Sequence, residues 1–451
     1  PYAVKLAGDY AVLADNEDDL ALSEPAGKVL PVPQEMAAAW IDMKTLEPRL
    51  SKQLAEIQQG MKMMAQMQPQ SAQQFQMMSD LAGTIQENIK QTDSITMIGK
   101  LDAGNIRIET QVNASPGSEF AKTLASVQQF DARILQHLPK DSFAVMGGAM
   151  SGQLVQMASQ MQTMQLKGLV QNQDDKKLVD QLMQKVEQIQ KAIGDEGLQF
   201  AGGMTASGPA KGIEFVAVTK LADPQTYREV AVESSELMQK MMDRMPQQPG
   251  APKMTMNYRK GAVQIEGVSV DRFEMGMEFG QMGGGMAPVN PQMVMQTMFG
   301  GEKFVELIAY FDDYAVVATG PGARDLLKDV IVSVKQNKAL LTTTPMHVST
   351  MKRLPDEATM FGYLDPKGMA KWLASLNPML VPPPIQQGLN NMALSKGAFS
   401  MAVTSEKGAG TLIVNIPSAA TKDLMEVIEL VQQGMQQMRM GPGPGGPPAP
   451  M

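Results

Sequence analysis

The sequence predicts an α+β fold: repeated units of strand, helical hairpin, β-hairpin and helix, forming antiparallel sheets covered by helices. Three observations predict it. A strand motif occurs twice, as DYAVLA from Asp9 to Ala14 and DYAVVA from Asp313 to Ala318, each reading as the second strand of a hairpin. A unit opening recurs, since Trp40-Ile41-Asp42-Met43-Lys44 matches Tyr363-Leu364-Asp365-Pro366-Lys367 in type and order. The run LPKDSFAVMGG from Leu138 to Gly148 parallels LPDEATMFGYL from Leu354 to Leu364, with Leu and Pro leading an acidic turn into a strand.

Taken in order, residues 1–31 hold the first hairpin, Tyr2 to Ala7 then Tyr10 to Ala14, which looks like the end of an interrupted unit. Residues 32–131 form repeat unit 1. Its opening strand leads into two apolar stripes, Leu46, Leu50, Leu54, Ile57, Met61 and Met64, then Phe75, Met78, Leu81, Ile85 and Ile89, with a break near Pro69. That three-and-four spacing puts each set on one helical face. A strand pair from Ile95 to Val112 turns at Asp102 to Gly104, and a short helix through Phe120 and Leu124 follows.

Residues 132–250 are repeat unit 2, with stripes Met150, Leu154, Met157, Met161, Met164 and Leu178, Leu182, Val186, Ile189, Ile193, a strand pair from Leu198 to Val218 turning at Gly208 to Gly212, and a helix through Tyr227 and Val230. Residues 251–343 are a variant in which the strand pair Met256 to Val270 reaches the DYAVVA hairpin through a Gly/Met-rich insertion from Glu274 to Gly301. Residues 344–438 are repeat unit 3, whose helical pair after Met369 is shorter and Pro-interrupted; its strand pair, Phe399 to Ile416, turns at Gly408 to Gly410. The tail 439–451, ending GPGPGGPPAPM, lacks apolar content and reads as disordered. At about one hundred residues the period exceeds that of ordinary solenoids, so the units read as duplicated domains or half-domains.

Composition narrows the function. With 451 residues and 43% hydrophobic content the chain can bury substantial cores. A formal charge of -8 and the lack of a basic stripe argue against nucleic acid. No run of eighteen or more apolar residues occurs, so no transmembrane span is expected. The absence of Cys removes disulfides, thiolate catalysis and Cys-based metal sites, and together with a start at Pro1 leans toward a processed, exported bacterial protein. Methionine stands out: 41 residues against 13 Phe, 7 Tyr and 2 Trp.

Tested for chemistry, the sequence assigns no catalytic, cofactor-binding or metal-ligating residue. His137 and His347 are too few for a His-based metal cage and read as polar residues near unit openings. GPGARD, Gly320 to Asp325, puts glycines at a helix start where amides hold anions, but without the P-loop Lys or a full dinucleotide fingerprint it reads as a strand-to-helix turn. Asp42 and Asp365 are candidate paired carboxylates, with helix capping the plainer reading. Met61, Met63, Met64 and Met67 raise Cu(I) binding, against which stand their heptad-like spacing and the dearth of His. Asn113-Ala114-Ser115 matches a glycosylation acceptor.

The LP-acidic-strand openings, helical hairpins and DYAVVA strand resemble large exported bacterial proteins, themselves uncharacterised, built from duplicated α+β units, over the chain to about Met438. The resemblance implies architecture and export and transfers no functional residue. Repetition without a reaction centre points to a non-catalytic structural or interaction protein of the bacterial envelope or exterior, acting by self-association or through protein partners. The alternative is a carrier of an apolar ligand such as lipid, with the Gly/Met segment near Gly283 as a lid.

Overall fold

The computed structural model describes residues 3–7, 10–14, 36–67, 72–102, 104–152, 155, 173–194, 197–206, 212–244, 253–278, 301, 303–376 and 381–439. The fold is α+β and is organised on a 13-stranded antiparallel sheet. A separate hairpin pairs β1 (Ala3–Ala7) with β2 (Tyr10–Ala14), which carries YAVLA of the first motif.

The first unit runs β3 (Met36–Asp42), α1 (Met43–Met67), α2 (Ala72–Lys90), β4 (Thr92–Asp102), β5 (Asn105–Ala114) and α3 (Glu119–Ser126). The second has β6 (Ala144–Met150), α4 (Gln173–Ile193), β7 (Leu198–Ala206), β8 (Ile213–Lys220) and α5 (Pro224–Arg244). The variant has β9 (Lys253–Ile265), β10 (Val268–Glu278), β11 (Lys303–Phe311), β12 (Tyr314–Thr319) and α6 (Ala323–Gln336), with α7 (Pro345–Met351) leading into the last unit. That unit repeats the order of the first: β13 (Ala358–Leu364), α8 (Pro366–Leu376), α9 (Pro383–Asn391), β14 (Phe399–Glu406), β15 (Ala409–Ile416) and α10 (Ser418–Arg439).

The units read as duplicated domains or half-domains contribute their strands to one sheet, in the order β3-β4-β5-β15-β14-β13-β6-β7-β8-β12-β11-β10-β9. Units join by like strands: β5 meets β15, the closing strands of the first and last units, and β13 meets β6, the opening strands of the last and second. Two-residue turns close several hairpins, with Lys407 and Gly408 at positive φ (48° and 81°), the backbone a tight reversal demands. Gly410, expected in that turn, is instead the second residue of β15, because the reversal needs only two residues.

Three further expectations shift. Met150 ends β6, opposite Leu198, rather than opening a helical stripe; Leu154, Met157, Met161 and Met164 lie outside the described residues. The Gly/Met-rich insertion begins later than Glu274, since alternation carries β10 on through Met275, Gly276 and Met277 opposite Met256, Thr255 and Met254. Residues 279–300, including Gly283, and the tail 440–451 lie outside the described residues.

Helices were expected on one face of the sheet; around β12 they occupy both. Val316 and Ala318 are buried in the cluster holding Leu327, Val330 and Ile331 of α6, whereas Ala315, with Ile308 and Tyr310, packs against Ile193 of α4 and Tyr227 of α5. The reason is in the letters: AVVA has no polar alternation, the mark of a strand covered on both sides.

Candidate functional site

The residues singled out from sequence have structural partners. Asp42 accepts hydrogen bonds from the Lys44 backbone N–H at 3.0 Å and the Thr45 hydroxyl at 3.0 Å, and Asp365 accepts from the Lys367 N–H at 2.9 Å and from Ser395. Each caps the helix that follows its own opening strand. Burial raises the Asp365 carboxyl, partly offset by these donors.

His137 is buried, its Nδ1 lying 2.9 Å from the Ser333 hydroxyl, which donates to the Lys338 carbonyl. His347, on α7, lies edge-on to Tyr363 at 5.8 Å between ring centroids, and its Nδ1 and the Tyr363 hydroxyl have no hydrogen-bond partner. Burial lowers both histidines, His347 to about 4, because a charged imidazole would lose its hydration.

At the GPGARD turn the space an anion would need is taken. A Cβ at Gly322 would collide with the Glu214 carboxylate, so the chain's own acid lies against the start of α6. Met61, Met63, Met64 and Met67 line the last turns of α1, with Met63, Met64 and Met67 exposed. No cluster of three or more acidic or histidine side chains suited to a metal occurs among the described residues. Asn113 sits inside β5, its side-chain amide donating to the Ser94 hydroxyl at 3.0 Å.

Two buried charge networks were not foreseen. Asp271, 0% exposed, accepts from Arg228 Nε at 2.7 Å, the Tyr258 hydroxyl at 3.0 Å and the Gly261 N–H at 2.7 Å. Lys367 reaches Asp423 at 2.8 Å and Glu426 at 2.6 Å. Burial alone would lower the Lys367 ammonium, but these hydrogen bonds and charges outweigh it and the group is raised. In the first network the one fully buried charge, Asp271, is met by Arg228 and by hydrogen bonds; in the second the buried pair Lys367 and Asp423 is joined by the exposed Glu426. Clefts elsewhere on the molecule mix charged and apolar side chains. One, of about 500 Å³, is lined by Lys140, Asp141, Glu214, Lys328, Asp329 and Lys338 together with apolar neighbours such as Leu326 and Val332.

The feature with the character of a binding site is a surface. Met97 and Leu101 of β4, Ile106 of β5, Leu412 of β15, Met401 of β14, Met360 of β13 and Met146 of β6 are each 38–62% exposed. Cross-strand partners share a face, and the register links them: Met97 to Thr110 to Leu412 to Val403 to Met360, and Met401 to Gly362 to Met146, with Leu101 opposite Ile106. These apolar side chains therefore lie on one face of six adjacent strands. The intervening residues on the other face, Ile413, Ala402, Phe361 and Val145, are buried. At 4.7–4.9 Å per strand the face spans roughly 24 Å. Among the described residues α3 covers its margin, where Leu124 lies against Gly410.

No helix among the described residues is long and apolar enough to cross a membrane. No family model, curated protein or solved structure matches the chain.

Proposed function

We propose that this chain is a non-catalytic interaction protein of the bacterial envelope or exterior, acting through the open apolar face of its sheet by self-association or by binding protein partners. The observation that carries the reading is the run of exposed Met, Leu and Ile side chains across six paired strands. Scattered exposed apolar residues are ordinary, but a contiguous patch on a folded sheet marks a contact surface. Methionine suits one, because its unbranched chain adapts to more than one opposing shape. Export rests on the resemblance and on the Cys-free composition.

A broad face of some 24 Å fits a macromolecular surface better than one small apolar molecule, which favours interaction over the carrier reading. The test compares wild type with Met360→Glu/Met401→Glu by sedimentation velocity and by capture from an envelope extract. Concentration-dependent assembly or specific capture, lost in the variant, is expected. A wild-type protein that stays monomeric at high concentration and captures no envelope component ends the proposal; lipid-sized adducts in its native mass spectrum would move the conclusion to a carrier.

A further inference from the structure

The two edges of the sheet are built differently. β9 carries Arg259 and Lys260, its register against β10 shifts between Val270 and Arg272, and Gly261 sits at φ 60°. Charge and a bulge are the devices that keep an edge from pairing with another chain. β3, MAAAWID, has none of them. It pairs with β4 without a shift from Met36 opposite Lys100 to Asp42 opposite Ser94, bears no charge before Asp42, and leaves Trp40 37% exposed.

Inside the chain, edges of this kind are matched to each other. Aligning Leu138-Pro139 with Leu354-Pro355 puts Met146 of β6 at the place of Gly362 of β13, and those two residues are paired in the sheet. Aligning the turn glycines Gly104 and Gly408 puts Glu109 at the place of Ile413, and these too are paired. Equivalent residues facing each other across antiparallel strands define a local twofold perpendicular to the sheet. Such an axis is the isologous arrangement that identical subunits adopt.

We propose that β3 pairs antiparallel with β3 of a second copy of this chain, with Ala39 opposite Ala39 on the twofold axis. The register follows from the unit opening, because aligning Trp40-Ile41-Asp42 with Tyr363-Leu364-Asp365 puts Ala39 at the place of Gly362. Ala38 then faces the partner's Trp40, as Val145 faces Tyr363 within the chain, where Tyr363 is only 4% exposed. Ala39 shares the open face with its cross-strand partner Met97, so the joint continues that face from one copy into the other. This inference rests on the self-association part of the proposed function.

A chain with no Cys makes the register directly testable. Opposed residues in an antiparallel pair lie about 4.5–5.5 Å apart at Cα, within the 4.4–6.8 Å range of a disulfide. Ala39→Cys should therefore form a covalent dimer under mild oxidant. Ala37→Cys, roughly 14 Å from its own copy in this register, should not, but it should cross-link when mixed with Ile41→Cys. Ala39→Lys, which sets like charges on the axis, should shift sedimentation to monomer while the thermal melting curve is retained. A dimer in which Ala39→Cys stays reduced, in which Ala37→Cys cross-links to itself, or which survives Ala39→Lys overturns the β3 pairing while leaving self-association standing. A wild type that is monomeric throughout overturns the pairing as well, and capture of envelope components then decides the broader reading separately.

Discussion

The first and last units share one order of elements yet differ in what holds them. In the last unit, Ala370 and Ala374 of α8 and Ile385 and Leu389 of α9 are buried against Val427, Leu430 and Val431 of the 22-residue α10. In the first unit the closing helix α3 has 8 residues and lies over β14 and β15, so among the described residues the α1–α2 pair has no third helix of its unit. Across the pair Gln58 donates to the Ser79 carbonyl at 3.3 Å and Gln86 to the Ser51 carbonyl at 3.3 Å; Leu50, Leu54 and Phe75 are half-buried, while Ile57, Met64, Met78, Leu81 and Ile85 stay exposed. An amphipathic stripe thus needs a partner of matching length before it becomes core, and the first unit has one to spare.

The largest expected effect sets the scale for a closed part of the molecule and lies in the variant unit: Asp271→Ala. Leaving Arg228 without its carboxylate should cost about 3–5 kcal/mol, read as a loss of unfolding free energy in denaturant. Next comes a paired test. Leu389→Ala should cost about 2–5 kcal/mol, while Leu81→Ala on the bare stripe should stay within about 0.5 kcal/mol. Equal losses would mean that the first unit is as well packed as the last.

Acid should act on a closed part of the molecule too. His347 binds its proton near 6.5 when unfolded but only near 4 when folded, so the unfolded chain holds more protons between those values. Its contribution is full above about pH 6.5 and declines as pH falls toward 4, by on the order of 3 kcal/mol. His347→Phe should flatten that part of the stability–pH curve; an unchanged acid limb would place the sensitivity elsewhere. The smallest effect belongs to the open face: Met401→Gln should leave the melting curve within about 0.5 kcal/mol of wild type while weakening association.

Much of the architecture was legible because it is local. Turn pairs such as Lys407-Gly408, the alternation of Phe399 to Val403, and the acids Asp42 and Asp365 that cap the helices after their strands are written within a few residues of where they act. The strand order was not, because β5–β15 and β13–β6 join segments far apart in the chain and no local signal selects among antiparallel edges. The open face was hidden for a different reason. Alternation predicts two faces for β14 but not which of them is covered, and that is given by the exposure of Met401 in the folded sheet. Asp271 gave no warning either: VSVDRF looks like an ordinary alternating strand, and Arg228 is supplied by a helix of the preceding unit.

The central claim is that the first unit is left incomplete by its own chain and is completed by another molecule. Amide hydrogen exchange of the purified full chain at low and high concentration tests it directly, with β13 as an internal standard. Protection in residues 36–42 should rise with concentration toward that of β13, and the exchange of β13 itself should not change. If β3 exchanges at one fast rate at every concentration, with or without envelope extract, the first unit has no partner and the claim is contradicted.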